Sequence, residues 1–508
     1  MHKVMKIYRY IIVFFFVVGG LSSCNDWLDI NADTKVVQEE LFESYEGFRS
    51  SLNGIYRLLG TKELYARNLT WGAASVLGNN YEKNTLPYSY RDFLNDYEAV
   101  SGKKYVEEIW EQGYKLISNC NNLLIQGRDK KDDFFPEGKV EKDVIMGEAI
   151  GMRALLHFDL LRLYAPSFKE DDGKLYIPYV TVYPEHQPKH LSVTAVMDSI
   201  ISDLKRARDM LSYNDTLYNV EAIHNVKVRF HTVFASVKGG FFFSNRGGRM
   251  NYFAATALLA RAYLYKGDKI NAYRYAHEVY QYSTRKTYFQ FTPASAFELW
   301  DKNGWPQKMY DDILMAAYNE KMYDIYKDEL NSQSTEINFF LKNIDDLYRS
   351  DANDFRKTKL ISGSWDDWEE VWTYLSTRWS KPADLTYSEA QDVATYQGPI
   401  APVIRMSEVY YIMCECLAEE GKVDEATDLL QTVRTARGAI NPLPLGMTKD
   451  DFLTILRKEM VKDFMTEGQT FFLYKRLDEP VYDGSSGIDM TGKWVLPAPY
   501  SETAYTNL

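Results

Sequence analysis

Residues 403–438 read "VIRMSEVYYIMCECLAEEGKVDEATDLLQTVRTARG", and they decide the fold. Apolar and small residues recur every three to four positions on both sides of Gly421, which predicts two helices joined by a tight turn. Cys414, Leu417, Gly421, Ala426 and Leu430 stand at the offsets of a tetratricopeptide repeat. In that pattern small residues let two antiparallel helices approach, and the glycine turns the chain between them. The same offsets recur in "ALLARAYLYKGDKINAYRYAHEVY" (257–280), at Ala260, Tyr263, Gly267, Ala272 and Ala276. Helical periodicity also runs through 36–60, 104–127, 142–165 and 194–211. Gly60, Gly127 and Pro166 are the stops, and Ser192 or Thr194 is the N-cap of the last segment. The fold class is therefore mainly α, a tetratricopeptide-like helical repeat scaffold.

Between the helical segments lie aromatic-rich, irregular stretches. "FHTVFASVKGGFFFSNRGGR" (230–249) alternates in polarity around Gly239-Gly240, which predicts a β-hairpin. Residues 291–312 and 360–387 mix Trp, Asp, Asn, Gly and Pro. Long non-repeat insertions are where function concentrates, so these predict a loop-rich face with a few short hairpins. The 508 residues carry 45% hydrophobic and 26% charged side chains, with aromatics at 15%. That aromatic share suits a protein presenting flat, half-polar surfaces. The net charge of -12 speaks against a nucleic-acid partner, whose phosphates demand a basic surface.

Residues 1–23 hold Lys3, Lys6 and Arg9 and then "YIIVFFFVVGGL", the basic and apolar regions of an export signal. "LSSC", Leu21 to Cys24, looks like a lipoprotein lipobox, which implies cleavage before Cys24 and acylation of that residue. Asp26 and Asp29 beside it resemble a surface-export signal of Bacteroides-type lipoproteins. The reading places the protein at the cell outer membrane, lipid-anchored and surface-exposed. Only Cys120, Cys414 and Cys416 follow, and an odd count argues against a disulfide framework.

Six ordered motifs carry a family resemblance. They are the opening "CNDWLDI…ELFESYEGFRSSLNGIYRLL", then "GEAIGMRALLHFDLLRLYA" (147–165) and "IPYVTVYPEHQPKHLSVTAVMDSIISDLKRA" (177–207). The repeat at 405–438 follows, then "FLTILRKEMVKDFMTEGQTFFLYKRL" (452–477) and "WVLPAPYSETAYTN" (494–507). Together they resemble the SusD/RagB family of outer-membrane nutrient-binding lipoproteins. The resemblance implies one domain over 24–508, with an N-terminal part to about 250 interlocked with a C-terminal part from 251. It also implies a glycan-binding protein without catalysis that delivers an oligosaccharide or polysaccharide to a partner TonB-dependent, SusC-like transporter. The RagB side of the family implies the alternative, a peptide-binding lid of a peptide importer. Leu473-Tyr474 and Cys416 depart from the family's usual Asp-Leu and alanine, and the 221–249 connection is longer.

The residues themselves contain no Gly-x-Ser-x-Gly, His-Glu-x-x-His or Walker-type loop, so no catalytic residue is assigned. His157 in "ALLHFDLL" reads as a packed helix residue, and Glu185, His186 and His190 lie in a proline-bounded loop without metal-ligand spacing. No metal or cofactor is expected. Sugar binding asks for aromatic faces to stack on pyranose C–H groups, rimmed by hydrogen-bonding side chains. Three places qualify. The first is the loop with Trp71, Asn79, Asn80 and Tyr81, where Trp71 also suits a helix core and the Asn-Asn-Tyr run reads as exposed. The second is Trp300 and Trp305, flanking a turn at Asn303-Gly304. The third is Trp365, Trp368 and Trp372, at i, i+3 and i+7 on one helix face, a spacing that serves a core or a platform. Trp27, Trp379 and Trp494 read as scaffold, and Arg153, Arg457, Arg476 and Glu467 as ion pairs fixing helix ends.

Overall fold

The structure, a computed structural model, describes residues 40–185, 188–230, 237–298, 305–331, 337–367, 370–381, 397–484 and 487–503. Cys24 and Trp27 lie outside them, as do Trp300, Trp368 and the Asn303-Gly304 turn. Two compact units divide at Ser50. In the first, Phe42 meets Phe48 edge-on at 4.8 Å. Helix α1 (Tyr45–Leu59) begins there and ends before Gly60, as its periodicity predicts.

The second unit carries the scaffold. Its long helices are α2 (Val100–Arg128), α3 (Lys139–Tyr164), α4 (Val193–Tyr213), α5 (Tyr252–Tyr265) and α6 (Lys269–Lys286). After a long insertion come α7 (Met406–Glu419), α8 (Val423–Ala436), α9 (Lys449–Phe464) and α10 (Thr470–Leu477). From α2 to α8 each helix packs on the next, so α6 meets α7 although residues 287–405 intervene in sequence. The two repeat motifs therefore stack as one helical layer.

Local chemistry sets the helix ends. Ser192 caps α4 by accepting from Ala195 N at 3.3 Å; Asn251 and Asp268 do the same for α5 and α6. Pro166 ends α3 by forcing Ala165 into an extended conformation (φ -130°, ψ 161°). Gly267 and Gly421 turn their helix pairs with the same φ of +81°, a left-handed geometry that costs a side-chain-bearing residue. Burial explains the small residues: Ala260, Ala272, Ala276 and Ala426 are fully buried where helices approach. Cys414 fills such a site, donating its Sγ to Ala426 O at 3.4 Å. Cys120, Cys414 and Cys416 are free buried thiols, and burial pushes Cys120 up to about 12.

Three two-stranded antiparallel sheets accompany the helices: β1 (Ile177–Pro178) with β2 (His190–Leu191), β3 (Ile313–Tyr318) with β6 (Ile400–Arg405), and β4 (Ile361–Asp366) with β5 (Val371–Ser376). The β3–β6 ladder is almost entirely buried and closes the insertion at its neck.

The hairpin predicted over 230–249 is corrected. Residues 226–230 form a helical turn and 241–243 and 246–248 form 3-10 turns, while 231–236 lie outside the described residues. The alternation was misleading because Phe242 and Phe243 are both buried, and side-chain anchors replace a strand ladder. Arg246 Nε reaches Asp215 at 2.9 Å and Arg249 Nε reaches Glu148 at 2.8 Å, all within the core.

The insertion is pinned to the repeat layer by a buried charge lattice. Arg356 pairs with Asp354 (2.6 Å), Glu459 (2.6 Å) and Asp463 (2.9 Å). Arg434 and Lys462 each bridge Asp351 and Glu459. Arg437 spans Asp463 and Asp312, Arg405 spans Asp312 and Glu467, and Arg378 closes on Glu467. Every cation in this chain of contacts meets a carboxylate, the condition under which buried charges are tolerated. Burial opposes ionisation of Asp463, yet Arg437 and Arg356 hold its carboxyl well below the usual range. Glu467 is thus an ion-pair anchor, as its motif suggests, and so are Arg153 (Asp203, 2.6 Å), Arg476 (Glu415, 2.7 Å) and Arg457 (Glu479, 2.8 Å).

Candidate ligand-binding surface

The strands β4 and β5 form a hairpin that stands in solvent, and its register decides what it presents. Trp365 lies directly opposite Trp372, and Gly363 opposite Tyr374. Side chains two apart share a strand face, so the three rings and the glycine lie on one side. The indoles meet edge-on, centroids 5.8 Å apart at 64°; Trp372 and Tyr374 lie near-parallel at 6.3 Å and 17°. A Cβ on Gly363 would fall 3.1 Å from Tyr374 Cε1 and 3.5 Å from Trp372 Cε3, so the glycine makes room for both rings. Trp365 and Trp372 are nevertheless 46% and 51% exposed, which leaves aromatic face open to a ligand.

This corrects the helix expected from the i, i+3, i+7 spacing. In an i and i+7 pair the two positions can also face each other across a hairpin, and Glu370, just before the returning strand, takes a left-handed conformation (φ +50°). β-propensity explains the outcome: "VWTYLS" alternates β-branched or apolar residues with aromatics.

A polar rim adjoins the rings. Tyr374 Oη donates to both oxygens of Asp345 (2.8 and 2.9 Å), and Lys357 Nζ donates to Asp345 Oδ1 at 3.0 Å. Burial works against the Asp345 charge, but the Tyr374 and Lys357 hydrogen bonds outweigh it and hold the carboxyl below its ordinary value. Partial burial and then Asp345 push the Tyr374 phenol up to about 12. Next door, Tyr482 donates to Asp346, which Lys458 also approaches at 3.2 Å.

The first cluster lies behind the hairpin and is corrected in role. Trp71 is 0% exposed; its Nε1 donates to Ala66 O (2.9 Å) and its ring meets Tyr326 and Phe339 edge-on. Asn80 and Tyr81, read as exposed, are buried. Asn80 Nδ2 is spent on Thr470 Oγ1 and Gly78 O, and Tyr81 Oη donates to Trp71 O at 2.7 Å. Asn79 takes a left-handed turn (φ +54°) and donates to Tyr482 O at 2.9 Å. Backbone ties link this loop to the hairpin: Lys342 N bonds Asn80 O (2.9 Å), Tyr81 bridges Leu341, and Leu341 N bonds Tyr374 O (2.7 Å). The loop thus steadies the aromatic strand through residues 341–342.

Trp305 is half-buried at the foot of the same hairpin. Its ring packs on Phe297, Met309 and Leu360, and Lys359 Nζ sits 4.2 Å from its centroid. Trp379 is fully buried, donating Nε1 to Thr466 Oγ1 at 3.0 Å under the Lys308 amine, 3.7 Å from the ring. Tyr374, Asp345 and Gly363 were missed as site residues; the period-2 pairing of Trp372 with Tyr374 was the available signal.

The histidines do other work. His157 Nε2 accepts from Val180 N at 3.0 Å, which leaves Nδ1–H to donate to Arg153 O at 2.9 Å. Burial pushes its pKa from 6.5 down to about 3, so it stays neutral as a packed core residue. His190 pairs with Glu502 at 2.8 Å, and His186 lies outside the described residues. Among the described residues no group of His, Cys, Asp and Glu is arranged to hold a metal.

Comparison with known proteins gives two family matches along the chain. A family described as starch-binding and associating with the outer membrane matches residues 26–230, and the SusD family matches residues 267–492. A SusD superfamily protein of Bacteroides thetaiotaomicron shares the fold at 21% identity, with 91% of this chain and 98% of that one covered and a TM-score of 0.65. A SusD-like carbohydrate binding protein of Bacteroides vulgatus is similar at 17% identity, over 86% and 84% of the two chains, with a TM-score of 0.61. The SusD-like protein P25 of Formosa agariphila is 22% identical over 212 residues, 40% of this chain and 38% of that relative's length. The solved structures share the fold, and the two family matches, which together span most of the chain, identify it as a member of the SusD family.

Proposed function

We propose that this chain is a non-catalytic glycan-binding protein of the outer membrane surface, with the β4–β5 hairpin as its platform. The observation that carries the reading is the Trp365–Trp372 pair, two half-exposed indoles held edge-on at a hairpin tip. Open aromatic faces suit the C–H side of a pyranose, and the Tyr374–Asp345–Lys357 rim suits its hydroxyls. Starch binding and outer-membrane association in the description of the matching family, and carbohydrate binding by the B. vulgatus relative, support the same ligand class. Cys24 is the acylated mature N-terminus, residues 1–23 are removed, and 24–508 act as one domain that passes ligand to a TonB-dependent transporter. Trp300, Trp305 and Trp368 are taken as further ligand contacts on the chemistry of their side chains alone.

Calorimetry of the purified mature chain against a panel of plant, host and microbial oligosaccharides tests this. Binding that falls in Trp365→Ala and Trp372→Ala supports it. Glycan binding indifferent to both variants removes the hairpin from the reading. Oligopeptide binding with no glycan binding replaces it by the peptide-lid alternative.

A further inference from the structure

An open cleft of 640 Å³ lies between the C-terminal end of α2, one face of α4, α3 and residues 179–182, and it shares no residue with the hairpin. Its charges do not cancel. Asp203 is committed to the wall: its Oδ2 takes Arg153 Nη2 at 2.6 Å, Arg153 Nε at 2.8 Å and the Tyr179 hydroxyl at 2.6 Å. Asp198 is held by Lys266 at 2.5 Å. Two guanidiniums are left over. Arg206, 61% exposed, reaches only Asp203 Oδ1, at 3.5 Å, beyond the usual range of a charged hydrogen bond. Arg128 is exposed and has no partner among the described residues. The hydroxyls of Ser202 and Thr181 line the same cleft, exposed and without a hydrogen bond among the described residues. Leu124, Met146 and Val182 supply apolar wall.

A locally cationic cleft stands out on a chain of net charge -12. Guanidinium forks match carboxylate and sulfate oxygens bidentately, and hydroxyl donors beside apolar wall suit a substituted ring. The volume is that of a small-molecule site, far beyond what a bare ion fills. The macrodipole of α2 favours a cation at its last turn and accounts for Arg128 alone, whereas Arg206 sits within α4.

We propose that this cleft is a second saccharide site, selective for an anionic sugar unit charged through a carboxylate or a sulfate ester, with Arg128 and Arg206 as the reading residues. The sugar part rests on the glycan reading above, whereas the anion selectivity does not.

The test is calorimetry of the mature chain with a galacturonate trisaccharide, a sulfated disaccharide, a neutral oligosaccharide and inorganic sulfate at constant ionic strength. The Arg128→Gln/Arg206→Gln variant changes two exposed side chains, which leaves the fold intact. The expected result is a loss of about tenfold or more in affinity for at least one acidic sugar in this variant, with its affinity for the neutral oligosaccharide within about twofold of wild type. Whichever acidic probe responds separates carboxylate from sulfate. No binding of either acidic sugar, or equal binding by wild type and the arginine variant, overturns the proposal. Inorganic sulfate binding as tightly as the sugars also overturns it, as a simple ion site. Neutral sugar lost only through Trp365 and Trp372 while acidic sugars fail sinks this inference and spares the hairpin. Acidic sugars lost only through the arginines, with no glycan sensitive to the hairpin, does the reverse.

Discussion

Trp372 and Trp379 are seven residues apart and opposite in circumstance. Trp379 has spent everything: no exposed surface, its Nε1 on Thr466, a lysine amine on its face. Trp372 is half in water, touched by two other rings, with an open face. The same contrast separates the charge lattice behind the insertion from the hairpin in front of it. A scaffold becomes rigid by pairing its buried charges, and a binding surface works by leaving contacts unmade until the ligand arrives.

The largest expected effect lies on the satisfied side. Arg356→Ala leaves Asp354, Glu459 and Asp463 short of a buried counter-charge, so it is expected to cost about 3–5 kcal/mol in urea unfolding. A loss under about 1 kcal/mol would mean that the lattice relaxes as freely as surface pairs do.

A pH experiment probes the same side. His157 titrates near 6.5 when unfolded and near 3 when folded, so between those values the unfolded chain binds more protons. Its contribution is complete above 6.5 and declines as pH falls toward 3, amounting to up to a few kcal/mol. The unfolding midpoint of His157→Gln is expected to lose less than wild type across this window; parallel curves would refute it.

On the unspent side, Trp372→Ala is expected to weaken oligosaccharide binding by about 1–3 kcal/mol with the unfolding midpoint unchanged. A shift in stability of similar size would turn the hairpin into scaffold and erase the contrast. The smallest effect tests the repeats against each other. Gly267→Ala and Gly421→Ala each meet open space but a φ of +81°, and each is expected to cost about 1–2 kcal/mol in thermal unfolding. Unequal costs would show that the two helix turns are alike only in shape.

The helical layer was legible because its rules are local. Ser192, Pro166, Gly267 and Gly421 act within a few residues of themselves, and each acts as its sequence context predicts. The site was half legible. Composition picked out the aromatics, but the partners that decide exposure are distant: Tyr326 and Phe339 for Trp71, Thr470 for Asn80. Spacing also misled at 365–372, where i+7 fits a helix face and a hairpin pair equally until the β-rich "VWTYLS" is weighed. The 230–249 segment failed for a related reason, since Arg246 and Arg249 bind carboxylates up to about a hundred positions earlier in the chain.

The crossed indoles of Trp365 and Trp372 also carry an optical consequence. Two identical chromophores 5.8 Å apart and inclined at 64° share their excited states, and such coupling splits the absorption into paired circular-dichroism bands of opposite sign. The protein therefore holds a built-in reporter on its own surface. A sugar settling onto one ring would change the angle or the surroundings of the pair, and occupancy could be followed in solution without a label.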